Sequence, residues 1–120
     1  MSQIEFGNQE LIKLIQFLKK ASKETNSAIW LNIADQLSKS KRSRRIVNLN
    51  RIDRFTKEGD TLVVPGKVLG TGALSHQVNV AALSFSKEAA AKIQEIGGKC
   101  LTIRDLYKLK KDGSNVKIMG

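Results

Sequence analysis

The segment QVNVAALSF, residues 77–85, indicates the fold class of the chain. Polar and apolar residues alternate at its start and the remainder is almost continuously apolar, which is typical of a strand buried on both faces of a sheet. Ser86 follows as the expected N-cap of a helix over residues 87–96, and Gly97 with Gly98 supplies its C-terminal stop. A buried strand followed directly by a helix predicts an α/β domain.

The segments on either side of this strand predict further strands and helices. Residues 61–64 form a β-rich run, a turn is expected at Pro65 and Gly66, and residues 67–69 follow as a short strand. Beyond the helix we expect, in order, a strand over residues 100–103, a helix over residues 104–109, a turn over residues 112–115 and a strand over residues 116–119.

Two amphipathic helices are predicted near the N-terminus, with Asn8 and Ser27 as their N-caps. Because the apolar side chains recur at helical spacing, we interpret them as core and not as a base-stacking platform. They are Leu11, Leu14, Ile15, Leu18, Ala21, Trp30, Ile33, Ala34 and Leu37. A further helical turn is expected over residues 50–55, after an extended segment over residues 45–49.

The length of 120 residues predicts one domain over residues 1–120. We expect a helical hairpin over residues 8–38, a basic linker over residues 39–45 and an α/β core over residues 46–120. The first residues carry no secretory signal, and no apolar run approaches the length of a membrane span. We therefore expect a cytoplasmic protein with no membrane partner.

The formal net charge of +10 is concentrated between residues 39 and 54. This window holds five of the six arginines and one acidic residue, Asp53, and its net charge is +6. Residues 99–120 carry the remaining +4. Guanidinium groups match phosphate geometry, and the serines that alternate with cations in residues 38–45 also donate to phosphate oxygens. The predicted polyanion contacts are Lys39, Lys41, Arg42, Arg44, Arg45, Arg51 and Arg54, together with Lys67 beside the Pro65-Gly66 turn.

Nucleic acid is the polyanion that fits this window best. A solvated basic loop is the plainer alternative, but no acidic residue neutralises residues 38–45. A membrane surface would require a bulky apolar face opposite the cations, and residues 38–45 contain no apolar side chain.

Residues for catalysis or cofactor binding do not form a recognisable motif. His76 stands beside Ser75 in a glycine-flanked loop, where we expect a surface histidine, and Cys100 is expected to be a packed, inert thiol. The run from Gly70 to Ser75 lacks the third glycine of the dinucleotide fingerprint. We therefore expect no enzyme, no metal or other cofactor and no small-molecule substrate.

Three stretches carry a family resemblance: IVNLNRIDR at residues 46–54, VPGKVLGTG at residues 64–72, and Ser84-Phe85-Ser86 with the later Gly97-Gly98. They closely resemble the archaeal and eukaryotic large-subunit ribosomal protein eighteen of the e type, a family related in its core to large-subunit ribosomal protein fifteen. The short chain looks like the archaeal form. The resemblance implies an irregular superhelix of β-β-α turns, with an N-terminal helical part, bound to large-subunit ribosomal RNA.

We therefore expect a structural constituent of the large ribosomal subunit, with ribosomal RNA and neighbouring ribosomal proteins as partners. The basic segment would bind and position the RNA by neutralising phosphates. The alternative is an architectural DNA-binding protein without sequence specificity, which would bind any duplex with similar affinity. An enzyme acting on a small molecule is a third hypothesis, and it would require a pocket with perturbed titratable groups.

Overall fold

Alternating strands and helices follow an N-terminal pair of helices in the computed structural model, which describes residues 8–39 and 45–119. The elements in chain order are α1 (Asn8–Thr25), α2 (Ala28–Leu37), β1 (Arg45–Asn48), α3 (Leu49–Phe55), β2 (Asp60–Leu69), β3 (Val78–Phe85), α4 (Lys87–Glu95), β4 (Lys99–Leu101), α5 (Ile103–Leu109) and β5 (Val116–Ile118). This order confirms the predicted α/β class with its N-terminal helical hairpin.

The described strands form one parallel sheet in the order β1-β2-β3-β4. β5 also pairs with β2, along residues 61–63, whereas β1 pairs with residues 66–69, so β1 and β5 lie end to end on the same edge of β2. Because the strands are parallel, each connection returns the chain to the same end of the sheet, and the chain winds in the manner expected of a superhelix.

Both faces of the sheet are covered by helices, which explains the apolar pattern of β2 and β3. On one face, Val63 and Ala81 pack with buried residues of α1, α2 and α5. On the other face, Val64 and Val80 pack with buried residues of α3 and α4. The alternation of side chains along each strand produces this division into two cores.

The predicted helical stripes are confirmed. Leu11, Leu14, Leu18 and Ala21 are buried on α1, and Trp30, Ile33, Ala34 and Leu37 are buried on α2, while Ile15 is partly buried. The Trp30 indole is fully buried; its Nε1 donates to the Lys111 carbonyl at 2.8 Å and its ring meets the Tyr107 ring edge-on. Trp30 is therefore a core residue that also satisfies its one polar group.

The predicted caps are partly confirmed. The Ser86 hydroxyl accepts from the Ala89 N–H, as expected of an N-cap. Ser27 stands at the N-cap position of α2 but makes no side-chain cap bond. Its hydroxyl donates instead to the Asp112 carbonyl at 2.9 Å, which ties the hairpin to the turn before β5.

Two local predictions are wrong. Pro65 and Gly66 do not form a turn, because residues 60–69 are one strand with a pairing irregularity between Val64 and Lys67. An irregularity of this kind accommodates a proline, which has no N–H to donate to the ladder. Ile103 begins α5 instead of ending a strand, because Thr102 and Asp105 form a capping box there.

Candidate nucleic-acid interface

Helix α3 presents two of the predicted arginines to solvent. Leu49 and Ile52 are buried against the sheet, which leaves Arg51 and Arg54, three residues apart, exposed on the opposite side. Phe55 is 56% exposed, and the guanidinium carbon of Arg51 lies 5.9 Å from the centroid of its ring. This distance is within the range of a cation–π contact, so the ring helps to orient the exposed Arg51 side chain. Arg51 and Arg54 are called the α3 basic surface below.

The one acidic residue of the basic window, Asp53, is hydrogen-bonded to another part of the protein. Oδ1 of Asp53 accepts from the Ser75 backbone N–H at 2.8 Å and from the Ser75 hydroxyl at 2.7 Å. These two hydrogen bonds hold the pKa of Asp53 below its ordinary value, and the facing His76 acts in the same direction. The Asp53 carboxylate therefore secures α3 to the loop over residues 70–77.

This loop contacts α3 at a second point. The Asn50 N–H donates to the Thr71 carbonyl at 3.0 Å, and Gly72 has a φ of +99°. A Cβ at Gly72 would lie 2.7 Å from the Asn50 backbone nitrogen, so the loop approaches α3 more closely than another residue would allow. The glycines whose spacing nearly matches a dinucleotide fingerprint therefore serve a packing contact.

Lys92 holds the loop from its other side. Its ammonium group donates to the carbonyls of Gly70 and Gly72, both at 2.8 Å, and pairs with Glu88 at 3.3 Å. Three hydrogen-bond acceptors match the three N–H donors of an ammonium group. The Lys92 ammonium group is therefore bound by other groups of the protein and is not a free surface cation.

His76 is more enclosed than the predicted surface histidine, since its side chain is 15% exposed. The Thr56 hydroxyl donates its one hydrogen to the Ile52 carbonyl at 2.6 Å. Nε2 of His76 lies 2.8 Å from the same hydroxyl oxygen, which therefore accepts from Nε2. Nδ1 of His76 lies 3.4 Å from Oδ1 of Asp53. The His76 imidazole thus joins the loop to the C-terminal end of α3.

Ser75, His76 and Asp53 lie together but lack the arrangement of a nucleophilic triad. The Ser75 hydroxyl donates to Asp53 at 2.7 Å, and its contact with His76 is a longer one of 3.3 Å to Nδ1. The other ring nitrogen, Nε2, is bonded to Thr56 and not to a carboxylate. A nucleophilic serine would instead donate to a histidine nitrogen whose other nitrogen is oriented by the carboxylate. The cluster is a structural tie between α3 and the loop.

Two other predicted contact residues lie apart from α3. Lys39, just after α2, is exposed. Lys67 is exposed within β2 and next to Ile46 in register, whereas its neighbour Val68 is buried in the core that contains α3. Because neighbouring residues of a strand point to opposite faces, Lys67 lies on the other face of the sheet from α3. Its expected position in a turn is wrong, as described above.

The structure does not describe the side chains of the remaining predicted residues. Lys41, Arg42 and Arg44 lie outside the described residues, and Arg45 is described only as the first backbone position of β1. Of the groups that hold α3, the sequence singled out Ser75, His76 and the glycines, but it gave no signal that they contact α3.

Comparison with known proteins identifies close relatives over almost the whole chain. Residues 5–120 match the family model described as ribosomal protein 60S L18 and 50S L18e. The chain is 44% identical over 119 residues to large ribosomal subunit protein eL18 of Methanococcus maripaludis, with 99% of each chain covered. It is 45% identical over 112 residues to the protein of the same name from Methanothermobacter thermautotrophicus, with 93% of each covered. It is 43% identical over 116 residues to that of Methanoregula boonei, covering 97% of this chain and 96% of the relative.

Proposed function

The chain belongs to the family of 60S L18 and 50S L18e ribosomal proteins, and on this premise we propose that it binds and positions large-subunit ribosomal RNA through its basic segment, without catalysis. Its partners are large-subunit ribosomal RNA and neighbouring ribosomal proteins, and its place is the cytoplasmic ribosome. The proposed RNA contacts are Lys39, Lys41, Arg42, Arg44, Arg45, Arg51, Arg54 and Lys67.

The α3 basic surface is the observation that supports this proposal most directly. Arg51 and Arg54 are exposed on a short helix whose other side is buried, and Asp53 between them accepts hydrogen bonds from Ser75. The helix therefore presents two positive charges whose neighbouring negative charge is already engaged. Only the four residues of β1 separate α3 from residues 40–44 of the basic linker, so both can contact one RNA segment.

The mechanism is neutralisation combined with positioning. Folded RNA brings phosphates close together, and a cationic segment between two helices reduces their repulsion. Arginine N–H groups bind phosphate oxygens in a defined geometry, so contacts from an ordered helix also orient the RNA. Hydrogen bonds that join Asn50, Asp53 and Thr56 to the 70–77 loop fix the position of α3 for this role.

The proposal is tested by comparing binding of the chain to large-subunit rRNA fragments and to random-sequence duplex DNA at the same salt concentration. We expect tighter binding to the rRNA fragments. We also expect Arg51→Gln combined with Arg54→Gln to weaken RNA binding and to flatten the slope of log K against log salt by about 1.5 units, since each lost phosphate contact removes about 0.7 to 0.9.

The matched control is Lys87→Gln combined with Lys99→Gln, two exposed lysines outside the predicted RNA contacts, which gives the same change in charge. If the control variant lost the same affinity, the effect of the α3 substitutions would come from net charge and not from the position of Arg51 and Arg54. Equal affinity for rRNA fragments and random DNA would favour the architectural DNA-binding alternative.

A further inference from the structure

A second group of exposed cations lies where α5 packs on α1. The guanidinium carbon of Arg104 stands 4.5 Å from the centroid of the Phe17 ring, well within cation–π range. Lys13 and Lys20 lie one helical turn before and after Phe17, and Lys108 lies one turn after Arg104. All four cations are exposed. Lys13, Lys20, Arg104 and Lys108 are called the α1–α5 basic surface.

The α1–α5 basic surface is held in place by packing beneath it. The ring of Tyr107, one turn from Arg104, meets Phe17 edge-on at 5.1 Å and Trp30 edge-on at 5.3 Å. The Arg104 guanidinium thus lies over a ring that belongs to an aromatic cluster, and a cation–π contact of this kind leaves its N–H donors free to bind an anion. Lys13 and Lys20 are seven residues apart on α1, about 10 Å along the helix axis.

These four cations are not neutralised by the part of the protein that the structure describes. Within residues 8–39 and 45–119, none of them forms an ion pair with a carboxylate, whereas Lys92 and Lys117 do. Asp105, next to Arg104, accepts from the Thr102 N–H in the capping box of α5. Glu10 and Glu24 lie one turn beyond Lys13 and Lys20, at the two ends of the cationic row.

The two basic surfaces lie on opposite faces of the sheet. Helices α1 and α5 belong to the core built on Val63 and Ala81. Helix α3 belongs to the core built on Val64 and Val80. The two basic surfaces therefore face away from each other across the sheet.

We propose that the α1–α5 basic surface is a second RNA-phosphate contact, so that the protein bridges two separate RNA segments, one on each face of the sheet. The inference rests on the proposed function and adds a site to it. RNA fits better than an acidic protein, because four exposed cations surround one partly buried ring, whereas the centre of a protein–protein interface is depleted of charged residues. Two contacts on one rigid domain also convert the second binding event into an intramolecular one.

The test uses the full chain with two short RNA duplexes, one labelled with a fluorescence donor and the other with an acceptor. We expect wild-type protein to bring the two duplexes together and produce energy transfer. Lys13→Gln, Lys20→Gln and Lys108→Gln together should abolish the transfer while single-duplex binding persists. The salt slope of total binding should flatten by about 2 to 2.7 units. Arg104 is left intact so that the aromatic packing is not disturbed.

The matched control is Lys19→Gln, Lys87→Gln and Lys99→Gln, which removes three exposed charges outside both basic surfaces. Thermal melting of both triple variants establishes that each is folded. Transfer and salt slope equal to those of the control would overturn the inference and assign the α1–α5 basic surface to an acidic protein partner. Failure of the wild type to bind any RNA would instead contradict the proposed function itself.

Discussion

Asp53 and Ser75 are joined by two hydrogen bonds to one carboxylate oxygen, from the Ser75 N–H at 2.8 Å and from its hydroxyl at 2.7 Å. This pair ties α3 to the 70–77 loop, although the two residues are 22 positions apart in the chain. The orientation of Arg51 and Arg54 therefore depends on a loop that contains no predicted RNA contact.

Removing the Ser75 hydroxyl is expected to loosen this tie without changing any charge. Ser75→Ala should lower the free energy of unfolding by about 0.5–1.5 kcal/mol, the usual net value of one hydrogen bond. It should also weaken RNA binding, because α3 becomes less well oriented. Denaturant unfolding and RNA titration measure the two effects. Ser114→Ala, which removes a hydroxyl bonded to Asp112 far from α3, should leave RNA affinity unchanged.

Stability at acidic pH is expected to depend on Asp53. Hydrogen bonds from Ser75, with His76, lower the pKa of Asp53 in the folded protein from its ordinary value of 3.8. The stabilisation is therefore complete above the unfolded pKa and is lost as the pH falls through the lower folded pKa. The difference in unfolding free energy between wild type and Asp53→Asn should shrink below about pH 4. A difference that grows as the pH falls would contradict this assignment.

Gly72 is expected to tolerate a side chain less well than Gly59. Both residues have positive φ, +99° and +86°, so alanine at either position is strained by about 1–2 kcal/mol. A Cβ at Gly59 meets nothing within 4 Å, whereas one at Gly72 lies 2.5–2.9 Å from Asn50. Gly72→Ala should therefore destabilise the fold by about 1–3 kcal/mol more than Gly59→Ala. Equal unfolding free energies for the two variants would contradict the packing role assigned to Gly72.

Trp30 and Arg42 should separate folding from RNA binding. Trp30 is fully buried, so Trp30→Ala should cost about 3–5 kcal/mol of stability. Arg42→Ala should change the free energy of unfolding by no more than about 0.5 kcal/mol, and its effect should instead be weaker RNA binding. Thermal melting and RNA titration of both variants provide the measurement. Loss of RNA binding by Trp30→Ala with an unchanged melting temperature would make Trp30 a base-stacking residue.

The salt dependence should report the number of phosphates contacted. If the seven cations between residues 39 and 54 each neutralise one phosphate, they contribute about −5 to −6 to the slope of log K against log salt. Arg44→Ala with Arg45→Ala should flatten the slope by about 1.5 to 2 units. An unchanged slope would move the main contact to the cations of residues 99–120.

Local patterns predicted most of the secondary structure, because each depends on residues close in the chain. Helical spacing identified the core side chains of α1 and α2, and Ser86 identified the start of α4. Pro65 and Gly66 have turn chemistry but lie inside β2, because the residues before and after them both pair with β3 and this pairing overrides local preference.

The sequence by itself determined the α/β class, the apolar stripes and the concentration of positive charge between residues 39 and 54. Only the tertiary structure decided what Asp53, Gly72 and His76 contact, because their partners come from segments about 20 residues away. The α1–α5 basic surface also depends on the fold. Charge counted along the chain cancels over residues 1–38, and Arg104 meets Phe17 only because α1 and α5 pack on the same face of the sheet. Charge along a chain is a one-dimensional sum, whereas phosphate binding depends on which cations share a surface.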